Sequence, residues 1–270
     1  MQFIEQDCFV DSKEKIEYPP VALSFGEKVI KSNKIEGDLI VPIPIGTYGN
    51  LSVVTAPPKT KKTFFISLLA SCYLSGSNQF GGDIKGHKGN DGQLVHIDTE
   101  QGLWHCQKVF ERVHKMDSNI DSEIYHTFGL RSIDYKMRIE FIDYYLREKI
   151  KTPSLVIIDG IADLCSDANN ISESNQVVQK LMEWSAKYKC HIINVIHQNF
   201  GSSKLGTGHL GSFLEKKAET VIQLEANTVN KDWVTVKCGR SRGYAFETFS
   251  FEVNEFGLPQ IVGDLYDPLK

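Results

Sequence analysis

One stretch of the chain joins an apolar run, a short polar loop and a lysine–threonine pair. It reads Leu51-Ser-Val-Val-Thr-Ala-Pro-Pro-Lys-Thr-Lys-Lys-Thr63-Phe-Phe. When a strand enters a helix through such a loop, backbone N–H groups and the helix N-terminus surround a phosphate. In this arrangement Lys62 reaches the β and γ phosphates of a nucleotide, and the Thr63 hydroxyl holds Mg²⁺. The stretch therefore predicts a phosphate-binding loop.

The loop departs from the GxxxxGK[ST] pattern at both glycines, because Ala56 stands at the first and Lys61 at the second. A Cβ at either position restricts the backbone and its approach to a phosphate. The alternative is a basic turn that caps a helix, and the rest of the chain has to decide between the two. The candidate nucleotide-binding residues are Ala56, Pro57, Pro58, Lys59, Thr60, Lys61, Lys62, Thr63 and Phe64.

Two apolar runs farther along the chain end in carboxylates. Asp159 follows Leu155-Val-Ile-Ile and is a candidate Mg²⁺ ligand, with a cap on the next turn as the alternative. Glu100 comes just after a second run that ends at Asp98. Ligands bind at the carboxyl edge of parallel strands, so Glu100 is the candidate base that activates the attacking water. Asp98 is its competitor, and a solvated loop carboxylate is the alternative.

A third apolar run ends in His197 and Gln198, and either side chain can contact the γ-phosphate of a nucleotide. The segment that follows, residues 199–211, contains four glycines and is predicted to be a loop. Its Lys204 and His209 are candidates for contacts with single-stranded DNA, because mobile basic loops suit the nucleic-acid backbone. An ordinary surface loop is the alternative.

Two arginines, Arg240 and Arg242, lie on a predicted turn between two late strands. Such arginines can enter the site of a neighbouring subunit and neutralise charge that develops on the phosphoryl group. A solvated basic hairpin is the alternative for this pair.

The elements that must position these residues alternate between apolar strands and amphipathic helices. We predict strands near 52–55, 93–98, 123–127, 154–159 and 191–196, and helices near 63–74, 104–115, 134–149 and 174–188. This alternation predicts an α/β fold with a mostly parallel central sheet flanked by helices. Strands near 221–224, 233–237 and 246–253 follow without helices between them and predict an antiparallel C-terminal extension.

Composition sets wider limits on the class of protein. The chain has 270 residues, 41% hydrophobic and 24% charged, which suits one globular α/β domain with elaborations. A net charge of −4 argues against wholesale coating of nucleic acid but allows a local basic site. Six scattered cysteines without a CxxC pair favour reduced core thiols. Without a signal peptide or a membrane-length apolar run, we expect a cytoplasmic protein with no membrane partner.

The beginning of the chain differs from the rest. Pro19, Pro20, Pro42 and Pro44 separate short apolar stretches, and we expect residues 1–50 to be irregular. We therefore predict an N-terminal arm over 1–45 that packs on the domain or on a neighbouring subunit. The strand–helix pattern with the phosphate-binding loop then makes up an ATPase domain over 46–270.

Taken together, these segments resemble the RecA-like P-loop ATPase superfamily. The likeness is closest to RepA-type hexameric plasmid helicases and to AAA-type ATPases of mobilisable elements. It covers about residues 45–262. The segments that carry it are Pro58-Lys-Thr-Lys-Lys-Thr63, His96-Ile-Asp-Thr-Glu100, Ile157-Ile-Asp159, His197-Gln-Asn and Gly208–Val221.

The resemblance implies a RecA-like fold and a ring of six subunits that hydrolyses ATP with Mg²⁺ and acts on single-stranded DNA. It also implies a role in replication or transfer of a mobile element, with a relaxase or a replication-initiation protein as partner. By this resemblance Lys62 binds the phosphates, and Thr63 and Asp159 hold Mg²⁺. Glu100 activates the attacking water, and Gln198, with His197 beside it, senses the γ-phosphate. Arg240 and Arg242 are the pair of arginine fingers that act in a neighbouring subunit. A non-catalytic nucleotide- or DNA-binding accessory protein and a recombinase-like filament former are the alternatives.

Overall fold

Two β-sheets and five α-helices make up the part of the chain that the computed structural model describes, residues 8–31, 38–198 and 206–263. The smaller sheet contains β1 (Val21–Ile30), β2 (Leu39–Thr47) and β4 (Ile84–Gly86). The larger sheet contains β3 (Leu51–Ala56), β5 (Gln93–Asp98), β6 (Tyr125–Gly129), β7 (Pro153–Asp159), β8 (His191–His197), β9 (Thr220–Ala226), β10 (Val234–Ser241), β11 (Phe249–Val253) and β12 (Pro259–Val262).

The helices are α1 (Lys62–Ser75), α2 (Leu103–Met116), α3 (Tyr135–Glu148), α4 (Ile171–Tyr188) and α5 (Gly208–Lys217), and Ser122–Ile124 and Ile161–Leu164 form short 3₁₀ turns. None of the helices within the described ranges is long and apolar enough to cross a membrane. All six cysteines are free thiols, and four of them are buried.

The larger sheet has the strand order β12-β11-β10-β9-β3-β8-β7-β5-β6. The six strands from β9 to β6 in this order are parallel to their neighbours, whereas β10, β11 and β12 pair in antiparallel fashion. The mostly parallel sheet with an antiparallel C-terminal extension is therefore confirmed. Because the carboxyl ends of β3, β5, β7 and β8 share one edge, the polar residues that follow these strands meet there.

Helices cover both faces of the parallel strands, which explains why nearly every residue of β7 and β8 is buried. One hydrophobic cluster joins α1 and α2 to β1, β4 and the antiparallel strands, with Phe65, Leu69 and Phe251 fully buried. The other joins α3, α4 and α5 to the opposite face, around Leu181 and Trp184. Packing against one face of the sheet thus fixes the position of α1, the helix that follows the phosphate loop.

The N-terminal region is more regular than its prolines predict. Residues 21–30 and 39–47 form the antiparallel pair β1 and β2, so the expectation of an irregular region is wrong over these ranges. Pro42 and Pro44 are tolerated because β2 is an edge strand of its sheet, where a missing N–H costs no ladder bond. The predicted boundary between residues 45 and 46 falls inside β2, and the division into arm and domain stays a prediction.

A second difference concerns the segment predicted as a loop over 199–211. The helix α5 already begins at Gly208, so the end of this segment is helical. Leu210 and Leu214 of α5 are fully buried against the sheet. The glycines hid this short helix from a prediction based on sequence, because glycine has a low intrinsic helix propensity. Packing of its leucines against the sheet stabilises the helix instead.

Candidate functional site

The loop between β3 and α1 presents a row of open backbone amides. Within the described residues, the N–H groups of residues 59–63 donate to no protein acceptor. Lys59 and Lys61 have left-handed backbone angles, with φ of 66° and 57°. This conformation turns successive amides toward one side at the N-terminus of α1, where the helix dipole adds partial positive charge. The loop is therefore shaped to hold an anion such as a phosphate.

Lys62, at the start of α1, points into the site and is 8% exposed. Its Nζ donates to Nδ1 of His197 over 2.9 Å. An ammonium has only donors, so Nδ1 is the acceptor and His197 carries its proton on Nε2. That nitrogen lies 3.5 Å from Oε1 of Glu100. The structure thus connects Lys62, His197 and Glu100 in one line at the carboxyl edge of the sheet.

The electrostatics of this line follow from burial and mutual charge. Burial lowers the pKa of Lys62, and the negative charges of Glu100 and Asp159 oppose that shift. The hydrogen bond from His197 lowers the pKa of Glu100, with a further contribution from Lys62, although burial works against both. Glu100 is therefore ionised at neutral pH and able to accept a proton.

Both carboxylate oxygens of Asp98, the competing candidate for the base, already accept hydrogen bonds. Its Oδ1 accepts from the backbone N–H groups of Glu100 and Gln101 over 3.0 and 2.8 Å. Its Oδ2 accepts from Nε2 of Gln101 over 2.7 Å. These contacts hold the turn after β5 and set the position of Glu100, which leaves Glu100 as the carboxylate that faces the loop.

Asp159 has the environment of a cation ligand. It is 3% exposed, and its Oδ2 has no hydrogen-bond partner among the described residues. Burial raises the pKa of Asp159 to about 7, and the charges of Asp98 and Glu100 add to the rise. A hydrogen bond from the Thr63 side chain and the charge of Lys62 oppose it. An unpaired buried carboxylate oxygen beside a hydroxyl fits a divalent cation, which would relieve the repulsion among the acids.

No group of three or more His, Cys, Asp or Glu side chains in the described ranges forms a metal cage. A cation at Thr63 and Asp159 would therefore complete its shell with phosphate oxygens and water, as Mg²⁺ does in nucleotide sites.

The two sensor candidates at the end of β8 take different directions. His197 faces Lys62, whereas Gln198 is 8% exposed and donates from Nε2 to Thr55 Oγ1 over 3.2 Å. Successive side chains of a strand point to opposite sides, so only one of the pair can face the loop. The structure brings His197, and not Gln198, to the phosphate lysine.

A cleft of about 530 Å³ extends from the loop along α2. Trp104 stands at its rim with 64% of its surface exposed. Arg112 lies 3.8 Å from the centre of the Phe64 ring and donates to Ser67 Oγ over 3.0 Å. Sequence reasoning missed the residues from α2. The available signal was Trp104, a large apolar residue four positions after Glu100 on the exposed side of an amphipathic helix.

A family model described as an AAA domain matches residues 44–202, which is more than half of the chain. The chain belongs to the AAA domain family. The matched range contains the loop, Glu100, Asp159 and His197. Among curated proteins no match was found.

A solved structure supports the fold of this AAA domain. The RadB recombinase superposes with a TM-score of 0.55 at 15% identity, over 80% of this chain and 92% of that chain. Identity at this level shows the fold alone. Together with the family match, it establishes the RecA-like P-loop ATPase fold for this AAA domain.

The arginines lie far from the loop of their own chain. Strand β10 runs antiparallel to β9 and places Arg240 opposite Val221, near the start of β9. The start of β9 belongs to the amino edge of the parallel sheet, and the loop belongs to the carboxyl edge. Arg242 donates from Nη2 to the Lys217 carbonyl over 3.0 Å. Neither arginine can therefore act in the site of its own chain.

Of the two candidate DNA contacts, one is described by the structure. His209 is exposed in the first turn of α5, and the preceding Thr207 donates from its N–H to the His197 carbonyl over 2.8 Å. His209 thus lies on the same edge of the sheet as the cleft. Lys204 lies outside the described residues.

Proposed function

We propose that this AAA domain is a Mg²⁺-dependent ATPase that works as an oligomer on single-stranded DNA. The line of Lys62, His197 and Glu100 beside the open amides of residues 59–63 carries the proposal. In this proposal Lys62 is the cation, His197 the sensor and Glu100 the base that surround the γ-phosphate.

In this function the amides and the N-terminus of α1 bind the β and γ phosphates. Lys62 exchanges its His197 contact for a phosphate oxygen, because a charged acceptor is the stronger partner for an ammonium. Thr63 and Asp159 would hold Mg²⁺, which would neutralise phosphate charge. Once Lys62 has left His197, the imidazole can turn and donate its N–H to the γ-phosphate. His197 then acts as a sensor of the bound γ-phosphate.

Glu100 orients the attacking water and takes its proton as the oxygen approaches the γ-phosphorus in line with the bond to ADP. That bond breaks, and ADP leaves with the electron pair. The hydrogen bond with His197 keeps Glu100 ionised before ATP arrives.

The remote position of Arg240 and Arg242 supports an oligomer. A turn at the amino edge of the sheet can neutralise the transition state only in the site of a neighbouring subunit. The resemblance to RepA-type helicases favours a closed ring of six on DNA from a mobile element. An open filament of recombinase-like subunits is the competing assembly, and electron microscopy separates the two.

DNA contact in this proposal involves the segments that follow β7 and β8, with Lys204 and His209 as contact residues. Lysine, histidine and backbone groups contact phosphates more than base edges, so binding has little sequence preference. A relaxase or a replication-initiation protein would deliver the strand.

The test is phosphate release with Mg²⁺ and ATP, measured with and without single-stranded DNA. Lys62→Ala and Glu100→Gln each abolish release if the proposal holds. Lys187→Ala and Glu140→Gln are matched controls, because both residues are exposed on helices away from the cleft. Release that survives both site substitutions contradicts the assignment.

A second candidate function is a nucleotide-binding accessory protein with little turnover. It is favoured by the left-handed backbone at Lys59 and Lys61, which costs energy in residues with a Cβ. Tight ATP binding with no phosphate release under any condition, DNA included, identifies this function instead.

A further inference from the structure

His197 stands between two charged groups, and each of them contacts a different nitrogen of its ring. Nζ of Lys62 lies 2.9 Å from Nδ1, and Oε1 of Glu100 lies 3.5 Å from Nε2. The ammonium can only donate, so Nδ1 keeps its lone pair and the single ring proton is on Nε2. In this arrangement the imidazole is therefore neutral.

The backbone at His197 is fixed, while its side chain stays accessible. Its carbonyl accepts from the N–H and from Oγ1 of Thr207, each over 2.8 Å. The next residue, Gln198, donates its N–H to the Ala56 carbonyl at the end of β3 over 3.0 Å. The imidazole is 39% exposed, so it can exchange protons with the solvent. The ring thus keeps its place beside the phosphate loop whichever partner it contacts.

The charged groups around the ring come from several elements, and most of them are acids. Glu100 on the turn after β5 and Asp163 on the 3₁₀ turn after β7 are acidic, and Lys62 of α1 is basic. Asp159, at the end of β7, is a further acid of the same site, and its charge acts on Lys62. Burial raises the pKa of Asp163, and the charge of His197 opposes that rise. The contact with Lys62 keeps a second proton off Nδ1, because two donors cannot share one hydrogen bond.

Binding of a triphosphate removes this obstacle. In the proposed function, on which this inference rests, Lys62 leaves Nδ1 for a phosphate oxygen. A neutral imidazole has one N–H, so a ring that turns to the γ-phosphate gives up Glu100. An imidazolium has two N–H groups and can donate to both anions at once. Hydrogen bonds between a charged donor and a charged acceptor are also the stronger ones.

We propose that His197 takes up a proton at Nδ1 when a nucleoside triphosphate binds and releases it when the γ-phosphate leaves. The solvent supplies this proton as the N–H bond forms, and it takes the proton back when Lys62 returns to Nδ1. The sensor is therefore charged only while it lies between Glu100 and a γ-phosphate. Because the bound state holds the extra proton, affinity for the triphosphate rises as the pH falls, by up to about tenfold per pH unit.

The test is isothermal titration calorimetry of ATPγS, a slowly hydrolysed analogue, with Mg²⁺ at pH 7.5 in buffers of different ionisation enthalpy. The observed enthalpy changes with the buffer in proportion to the protons that binding takes up. Wild type should take up roughly 0.5 to 1 proton more than His197→Gln, because glutamine can contact Lys62 and Glu100 but does not titrate. Asp159 and the other groups of the site contribute to both proteins, so the difference isolates His197.

Two controls test the origin of the proton uptake. His114→Gln should take up as many protons as wild type, since His114 lies on α2 but outside the residues that line the cleft. ADP lacks the γ-phosphate that Nδ1 would face, so wild type and His197→Gln should not differ when ADP binds.

A spectrum of the wild type covers the case in which His197→Gln does not bind nucleotide. With nitrogen-15 in the histidine rings, a neutral imidazole gives two widely separated nitrogen signals, and an imidazolium gives two that lie close together. The His197 signals are assigned by their absence from the variant. They should change from the first pattern to the second when ATPγS is added, but not when ADP is added.

The outcomes separate this inference from the proposed function. A neutral His197 in the ATPγS complex, equal proton uptake in wild type and His197→Gln, or the same uptake with ADP overturns the inference alone. A wild type that binds no ATPγS overturns both. Proton uptake with ATPγS but no phosphate release from ATP overturns the ATPase function and leaves the protonation of His197 standing.

Discussion

At the scale of single residues, the phosphate loop is held in a conformation that its side chains disfavour. Lys61 stands where the general pattern has glycine, and it keeps the left-handed backbone with φ of 57°. Its Nζ donates to the Asp232 carbonyl over 2.7 Å, which ties the loop to the turn between β9 and β10. The lysine in place of glycine therefore adds backbone strain to the loop, and its contact with the Asp232 carbonyl helps to hold the strained conformation.

We expect Lys61→Gly to be more stable than Lys61→Ala by about 1 kcal/mol, because glycine adopts positive φ without a Cβ clash. Both variants lose the contact with Asp232, so their difference isolates the backbone strain. Denaturant unfolding of the two variants measures it. Equal midpoints would show that the loop relaxes to another conformation.

His96 in β5 gives the protein a defined sensitivity to acid. The side chain is fully buried, and Nδ1 lies 2.8 Å from the Tyr125 hydroxyl. Burial lowers the pKa of His96 to about 3 from an ordinary value of 6.5, and the charge of Arg112 adds to the shift. Between pH 6.5 and 3, His96 is protonated in the unfolded chain but neutral in the folded chain. The free energy of unfolding is therefore highest above pH 6.5 and falls as the pH drops toward 3.

We expect the wild type to lose about 1.4 kcal/mol per pH unit relative to His96→Gln below about pH 6. Glutamine can still contact the Tyr125 hydroxyl but does not titrate in this range. Urea unfolding at pH 7, 5.5 and 4.5 gives the comparison. Parallel stability curves for the two proteins would contradict the assignment of the acid sensitivity to His96.

At the scale of elements, the helix that begins with Lys62 is held by close backbone contact as well as by side chains. Gly86 in β4 packs against α1, where an added Cβ would lie 2.4 Å from the Cys72 carbonyl oxygen and 2.5 Å from the Tyr73 Cα. The N–H of Gly86 donates to the Gly76 carbonyl over 2.6 Å. The smaller sheet thereby fixes the far end of the phosphate-loop helix.

Gly86→Ala should destabilise the protein by about 3 kcal/mol, because backbone atoms on both sides must move to admit a methyl group. Gly89→Ala is the matched control, since no heavy atom lies within 4 Å of the position of its added Cβ. We expect the control to stay within about 0.5 kcal/mol of wild type in thermal or denaturant unfolding. A comparable loss in both variants would contradict the assignment of the cost to the close backbone contact at Gly86.

At the scale of the whole molecule, the separation of the loop from Arg240 and Arg242 dictates how activity depends on assembly. The two groups lie at opposite edges of one sheet, so in the proposed function a complete site needs two subunits. Specific activity should therefore rise with protein concentration.

Complementation tests this division directly. Lys62→Ala chains lack the phosphate lysine, and chains with Arg240→Ala and Arg242→Ala lack the finger. We expect each to be inactive alone and an equal mixture to recover roughly a quarter of wild-type phosphate release, the share of contacts that join two intact halves. A mixture that stays inactive would show that the arginines do not act between subunits.

Much of this molecule can be predicted from local pattern. Apolar runs such as Leu155–Ile158 become central strands because only a doubly covered sheet buries them on both faces. The loop of residues 56–63 is recognisable by its lysine–threonine pair. The predictions for β2 and α5 were wrong. An edge strand tolerates the prolines of β2, and packing against the sheet stabilises α5 despite its glycines.

Hydrophobic periodicity and loop chemistry are local properties, so most of the elements and the polar residues at the strand ends follow from the sequence alone. Which of these residues meet depends on the tertiary structure. The placement of β8 between β3 and β7 brings His197 to Lys62, and strand alternation turns Gln198 away from it. The reversed direction of β10 sends Arg240 to the opposite edge. Strand order and direction depend on contacts between distant parts of the chain, and no local pattern encodes them.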